Sequence, residues 1–64
     1  MIHNIKPKWL PNGNFCMSGE ESIKDRYGNP IRYFRKEYSA KTIEMFMELG
    51  ISIYEDFIQW CHRI

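Results

Sequence analysis

A single glycine, Gly50, separates two short amphipathic runs that each follow a serine, and this arrangement constrains the fold more than anything else in the chain. Ser39 is a favourable N-cap. From Ala40 to Leu49, the apolar side chains Ile43, Met45, Phe46, Met47 and Leu49 leave Lys41, Glu44 and Glu48 for water. Gly50 supplies the left-handed residue that ends such a helix, and Ser52 with Glu55 three places on makes a capping box for the next. Beyond it Ile53, Phe57, Trp60, Cys61 and Ile64 form one stripe, with Glu55, Gln59, His62 and Arg63 on the other side. The pattern predicts helices over 40–49 and 53–63, joined as a helical hairpin. Helices this short are marginal alone in water, so residues 1–38 must provide the surface they pack on.

Sixty-four residues make one domain, and at that size only about 60% of the unfolded surface is buried on folding. The chain is 44% hydrophobic and 16% aromatic, too rich in large apolar side chains for a disordered segment. Its net charge of +1 gives no global attraction to nucleic acid or anionic membranes. No apolar run approaches the roughly 20 residues of a membrane span. The opening Met1–Leu10 carries Lys6, Pro7 and Lys8 where a signal peptide needs an apolar centre. A cytoplasmic location is therefore expected, with Cys16 and Cys61 as free thiols.

Residues 2–18 read as a β-hairpin, because Asn12-Gly13 lies between the apolar pairs Trp9-Leu10 and Phe15-Cys16. A two-residue turn there sets Leu10 opposite Phe15 and Trp9 opposite Cys16. Pro7 cannot donate to a ladder, which puts its strand at an edge. Ser18 to Ser22 reads as a connecting loop.

A second hairpin is expected over 22–37, turning at Gly28-Asn29-Pro30, and two registers compete. A two-residue turn sets Asp25 opposite Arg32 and Ile23 opposite Phe34; the opposite charges favour this one. A three-residue turn sets Arg26 opposite Arg32 and gathers Lys24, Arg26, Arg32, Phe34, Lys36 and Tyr38 on one face. A one-residue slip exchanges the faces of a strand, so register decides whether a basic aromatic surface exists. The expected fold class is α+β: a small antiparallel sheet of two hairpins covered on one face by the helical hairpin. Its core is expected to contain Ile23, Ile43, Phe46, Leu49, Ile53, Phe57, Trp60 and Cys61.

No constellation for catalysis stands out. Adjacent Cys61 and His62 diverge on a helix and cannot act as nucleophile and base. His3, Cys16, Cys61 and His62 are suitable zinc ligands by type, but no Cys-x-x-Cys or His-x-x-x-His pair brings them together, and Cys61 lies on the apolar stripe. A helix-turn-helix reader is disfavoured because the second helix opens on Glu55 and Asp56, which oppose phosphates. Neither cofactor nor metal is expected, and no enzyme activity.

Binding remains. Trp9, Tyr27, Tyr33, Tyr38, Tyr54 and Trp60 are more large aromatics than so small a core can hide, and aromatics with arginine are enriched at interface hot spots. The expected function is a small regulatory or inhibitory protein, of a bacterial or phage kind, that occupies a protein partner's surface or self-associates. Trp9, Tyr33, Arg35, Tyr38 and Tyr54 are the candidate contacts. The alternative is a single-stranded nucleic-acid module, because Lys24, Arg26, Arg32, Arg35, Lys36 and Lys41 make six of the nine basic residues and interleave with Tyr27, Tyr33, Phe34 and Tyr38. In that reading Lys24, Arg26, Arg32 and Lys36 meet phosphates while Phe34 or Tyr38 stacks on a base.

Replacing the cap hydroxyl in Ser52→Ala is expected to cost about 1 kcal/mol with the fold retained. The denaturant midpoint measures it, and an unchanged midpoint would place the start of the second helix elsewhere.

Overall fold

The computed structural model describes residues 1–64. Three strands, β1 (Ile2–Trp9), β2 (Phe15–Glu21) and β3 (Tyr33–Tyr38), precede two helices, α1 (Ala40–Leu49) and α2 (Ile53–Arg63). The sheet is an antiparallel meander in the order β1-β2-β3, so the class is α+β as expected. There are not two separate hairpins: β2 is the shared central strand.

Both helices take the expected bounds. Ser39 accepts from the Thr42 N–H and Ser52 from the Glu55 N–H. At the end of α1, Gly50 has φ 69° and donates to Met47 O, while Ile51 N–H donates to Phe46 O at 2.9 Å. That pair of reversed bonds is a Schellman ending, and a side chain on Cβ would resist its left-handed backbone.

The first hairpin differs from expectation by one residue. Trp9 pairs with Phe15 and Lys8 with Cys16, around a loop of residues 10–14. Pro11 explains the shift: a two-residue turn would need its N–H for the closing pair, and proline has none. Pro11 instead takes the second place of a turn from Leu10 to Gly13, where Gly13 N–H donates to Leu10 O at 3.0 Å.

The second expected hairpin fails in both registers. Its descending half is β3, but β3 pairs with β2, from Phe15↔Tyr38 to Glu20↔Tyr33. Residues 18–21, read as a loop, continue β2. Residues 22–32 form an arm at the end of this ladder, closed by one isolated bridge, Lys24↔Pro30. Neither Asp25 nor Arg26 meets Arg32. The Asp25 carboxylate instead accepts from Tyr27 N–H at 2.9 Å and Asn29 N–H at 3.0 Å, folding the chain back early.

A bulge in β1 builds the core face. Ile2 and Ile5, three apart, would point to opposite sides of a regular strand. The register shifts between His3 and Lys6, with Asn4 at φ 55°, and both isoleucines then approach Gly19 of β2. The core comprises Ile2, Met17, Phe34, Tyr38, Ile43, Phe57 and Cys61, with Ile5, Phe15, Phe46, Ile53 and Trp60 packed against it. Met17 and Phe57 are fully enclosed.

Two expected core residues lie outside. Ile23 is 61% exposed because it belongs to the arm, and Leu49 is 66% exposed. Leu49 is six residues beyond the buried Ile43, a rotation of about 120° away from it on the helix. Ile64, at the end of the α2 stripe, is also exposed. No helix is long and apolar enough to cross a membrane.

A Cβ on Gly19 would lie 2.8 Å from Ile2 Cγ2 and 3.3 Å from Phe57 Cε2. Ile2 is stiff at χ1 and Phe57 is enclosed, so Gly19→Ala is expected to cost about 1–3 kcal/mol through overpacking. Urea denaturation measures the loss; an unaltered midpoint would contradict the close packing of α2 on β2.

Candidate interaction surfaces

The pleat and register divide the sheet's side chains into two faces. Ile2, Ile5, Pro7, Trp9, Phe15, Met17, Gly19, Phe34, Lys36 and Tyr38 fall on the side of the helices. The other face has no cover. Its cross-strand rows are His3–Glu20–Tyr33, Lys6–Ser18–Arg35 and Lys8–Cys16–Glu37. An open depression of about 310 Å³ lies there, with Asn4, Lys6, Ser18, Tyr33 and Arg35 among its walls.

Charge on this face is mixed: Arg35 and Glu37 pair with each other, and Lys6 and Lys8 stand in no ion pair. Arg35 Nη2 donates to Glu37 Oε1 at 2.8 Å, and Asn14 Nδ2 donates to Glu37 Oε2 at 3.2 Å. These two donors, Arg35 foremost, hold the Glu37 carboxyl below its usual range. Glu20 accepts from Asn4 Nδ2 at 3.1 Å, with His3 Nε2 at 3.8 Å. Cys16 is buried between Lys8 and Glu37, its cross-strand neighbours, although it points to the open side.

The residues of the expected basic platform are dispersed. Phe34 and Tyr38, the stacking candidates, are 4% and 3% exposed and belong to the core. Arg32 and Lys36 do share their side of β3, but that side carries the helices. The Arg32 guanidinium sits 4.9 Å from the Phe34 ring centroid and donates to Ile64 O at 2.9 Å. The Lys36 ammonium is 4.9 Å from the Tyr38 ring, 5.5 Å from the Trp60 ring and 3.3 Å from Asp56 Oδ2. Both cations therefore brace α2 against β3 rather than facing a ligand. Lys24 and Arg26 lie in the exposed arm, where Arg26 covers its neighbour Tyr27.

The expected partner contacts are likewise not one patch. Tyr33, 68% exposed, and Arg35 stand on the open sheet face. Trp9 is exposed at the far end of β1 and meets Phe15 edge-on at 4.9 Å. Tyr54 is exposed on α2. Tyr38 is a correction: its hydroxyl donates to Asp56 Oδ2 at 2.7 Å and its ring meets Phe46 at 5.9 Å. No signal in the local sequence announces this, since the acceptor lies 18 residues on.

Four residues at the helical hairpin, Met45, Met47, Leu49 and Ile51, were missed as candidates. With the expected Tyr54 they are all exposed within ten positions around Gly50. The signal was present in α1, whose apolar surface is broader than a single packed stripe.

No group of three or more His, Cys, Asp or Glu side chains comes together in a ligating cluster. Cys16 and Cys61 are free thiols on opposite sides of the sheet. Burial pushes the Cys61 thiol up, away from the reactive thiolate.

Burial first, and the Asp56 carboxylate second, hold the Tyr38 phenol above its usual range. The folded state thus keeps this proton more tightly than the unfolded chain. Stability from the group is intact below about pH 10 and declines as pH rises beyond it. Wild type is expected to lose more stability between about pH 9 and pH 11 than Tyr38→Phe, measured by denaturant midpoints at each pH. Equal losses would contradict the assigned hydrogen bond.

No family model, no curated protein and no solved structure matches this chain, so its surfaces are read from their own chemistry.

Proposed function

We propose that the protein is a non-enzymatic regulatory binding protein that occupies the surface of a protein partner through the turn of its helical hairpin. The observation that carries this is the run of exposed Met45, Met47, Leu49, Ile51 and Tyr54. In water each of these side chains costs free energy that burial against a partner would recover, at about 25 cal/mol per Å² of apolar surface. Met45 and Leu49, four residues apart, share one face of α1 running into the turn, while Met47 lies about 160° round the helix; exposed apolar residues on a shared face mark interaction sites, and methionine adapts its flexible thioether to irregular partner surfaces.

The location suits a binding role. Gly50 and the two serine caps hold the turn rigidly, so little order has to be acquired on binding. The arm at the opposite end also exposes Ile23, Tyr27 and Ile31, but its turn is held by Asp25 alone rather than by two capped helices. The nucleic-acid reading loses its stacking residues, Phe34 and Tyr38, to the core, which is why a protein partner is preferred.

The test uses the full chain as bait in affinity capture, beside a variant with Met47→Lys and Leu49→Lys. Both positions are exposed, so the variant's stability is expected to stay within about 0.5 kcal/mol of wild type. A partner enriched by wild type and lost by the variant supports the reading. Equal capture by both, or none by wild type, would overturn it.

A further inference from the structure

The two edges of the sheet are treated very differently. The β1 edge carries Pro7, the bulge at Asn4 and the lysines Lys6 and Lys8, all devices that discourage another strand from pairing. The β3 edge lacks the proline and the bulge: Tyr33–Tyr38 is six residues of regular strand, and its one lysine, Lys36, is drawn back to Asp56 on the helix side. Glu21 N–H donates to Arg32 O, so residues 32, 34, 36 and 38 turn their backbone groups inward to β2. Tyr33, Arg35 and Glu37 turn theirs outward, and no other backbone bond in the chain uses them.

We infer that this edge pairs with the β3 edge of a second copy, antiparallel and in one register, giving a continuous six-stranded sheet. The proposal is independent of the helical-hairpin surface. Residues directly opposite each other must lie on the same face and, here, must both present outward backbone groups. Setting aside Tyr33 facing Arg35, which overlaps only three residues of each strand and offers no pair of opposite charge, three central alignments remain. Arg35 facing Arg35 sets like charges together, and Glu37 facing Glu37 does the same. The third sets Arg35 opposite Glu37 of the second copy, and Glu37 opposite its Arg35, with Lys36 on the two-fold axis. Lys36 then faces Lys36, a like pair that this register retains, but each ammonium is carried back to Asp56 of its own chain at 3.3 Å on the helix side.

In the paired form each Arg35 N–H donates to the carbonyl of the opposed Glu37, and each Glu37 N–H to the opposed Arg35 carbonyl. The Arg35–Glu37 contact inside each chain becomes a four-membered alternating cluster on the open face. Self-complementarity of this kind is what a two-fold interface requires. Five residues of each strand overlap, a small contact, so the dimer is expected to be weaker than about 1 μM.

Sedimentation equilibrium up to about 1 mM reads the association. Wild type is expected to dimerise. R35E leaves both facing positions acidic and E37R leaves both basic, so each alone should dimerise about tenfold more weakly. An equimolar mixture of R35E and E37R is expected to recover affinity within about threefold of wild type, because every facing pair is again opposite in sign. Circular dichroism checks that each chain stays folded. Should either fail to fold, amide hydrogen exchange on wild type decides: Arg35 and Glu37 gain protection as concentration rises, while Trp9, whose N–H turns outward on the β1 edge, does not. A wild type monomeric at the highest concentration, a mixture that fails to associate, or exchange at Arg35 and Glu37 independent of concentration would overturn the proposal.

Discussion

The close approach of Phe57 to Gly19 is the contact on which the rest of the structure depends. A Cβ at position 19 would sit 3.3 Å from the Phe57 ring and closer still to Ile2. With no side chain there, α2 settles directly onto the central strand and closes over Met17 and Phe57, the two fully enclosed residues. The bulge at Asn4 serves the same contact from β1 by turning Ile2 and Ile5 toward it. A domain of this size has few apolar contacts to spare, so one missing side chain in the middle strand matters more than it would in a larger core.

Polar chemistry reinforces the same seam. Asp56 is held on the packed side of α2, where it accepts from Tyr38 and Lys36 together. A carboxylate there would be costly without partners; with two, it ties the helix to the edge strand in a defined rotation. Lys36 also lies over two aromatic rings, which gives its charge a second favourable environment. Through these contacts, basic and aromatic residues of β3 that resemble a ligand platform in the sequence become internal bracing.

Local signals explain what was legible. The helix bounds could be read from Ser39, Gly50 and Ser52, because capping depends on residues within one turn of each other. The first hairpin was visible but its register was not, since Asn12-Gly13 suggested a two-residue turn and Pro11 forbids it. Gly19, Glu20 and Glu21 looked like a loop by composition; they are strand, because Gly19 makes room for α2 and Glu20 faces the uncovered side. The second hairpin dissolved for a related reason: Asp25 satisfies its own turn, leaving β3 to pair with β2. Of the candidate contacts, exposure was correctly anticipated at Trp9, Tyr33 and Tyr54, whereas the fate of Tyr38 depended on Asp56, a tertiary partner no window of sequence contains.

The arm of residues 22–32 contributes no member of the core cluster, and its ends are held side by side by Glu21 N–H to Arg32 O at 3.0 Å. The chain therefore enters and leaves it at adjacent points of a ladder that is complete without it. Such a place tolerates interruption. A break near Gly28 would divide the molecule into a strand pair and a strand with two helices, each incomplete in its apolar face and complementary to the other. The fold is thus organised as two pieces that recognise each other across β2 and β3, with the arm, apart from Arg32 at its foot, serving to keep them on one chain.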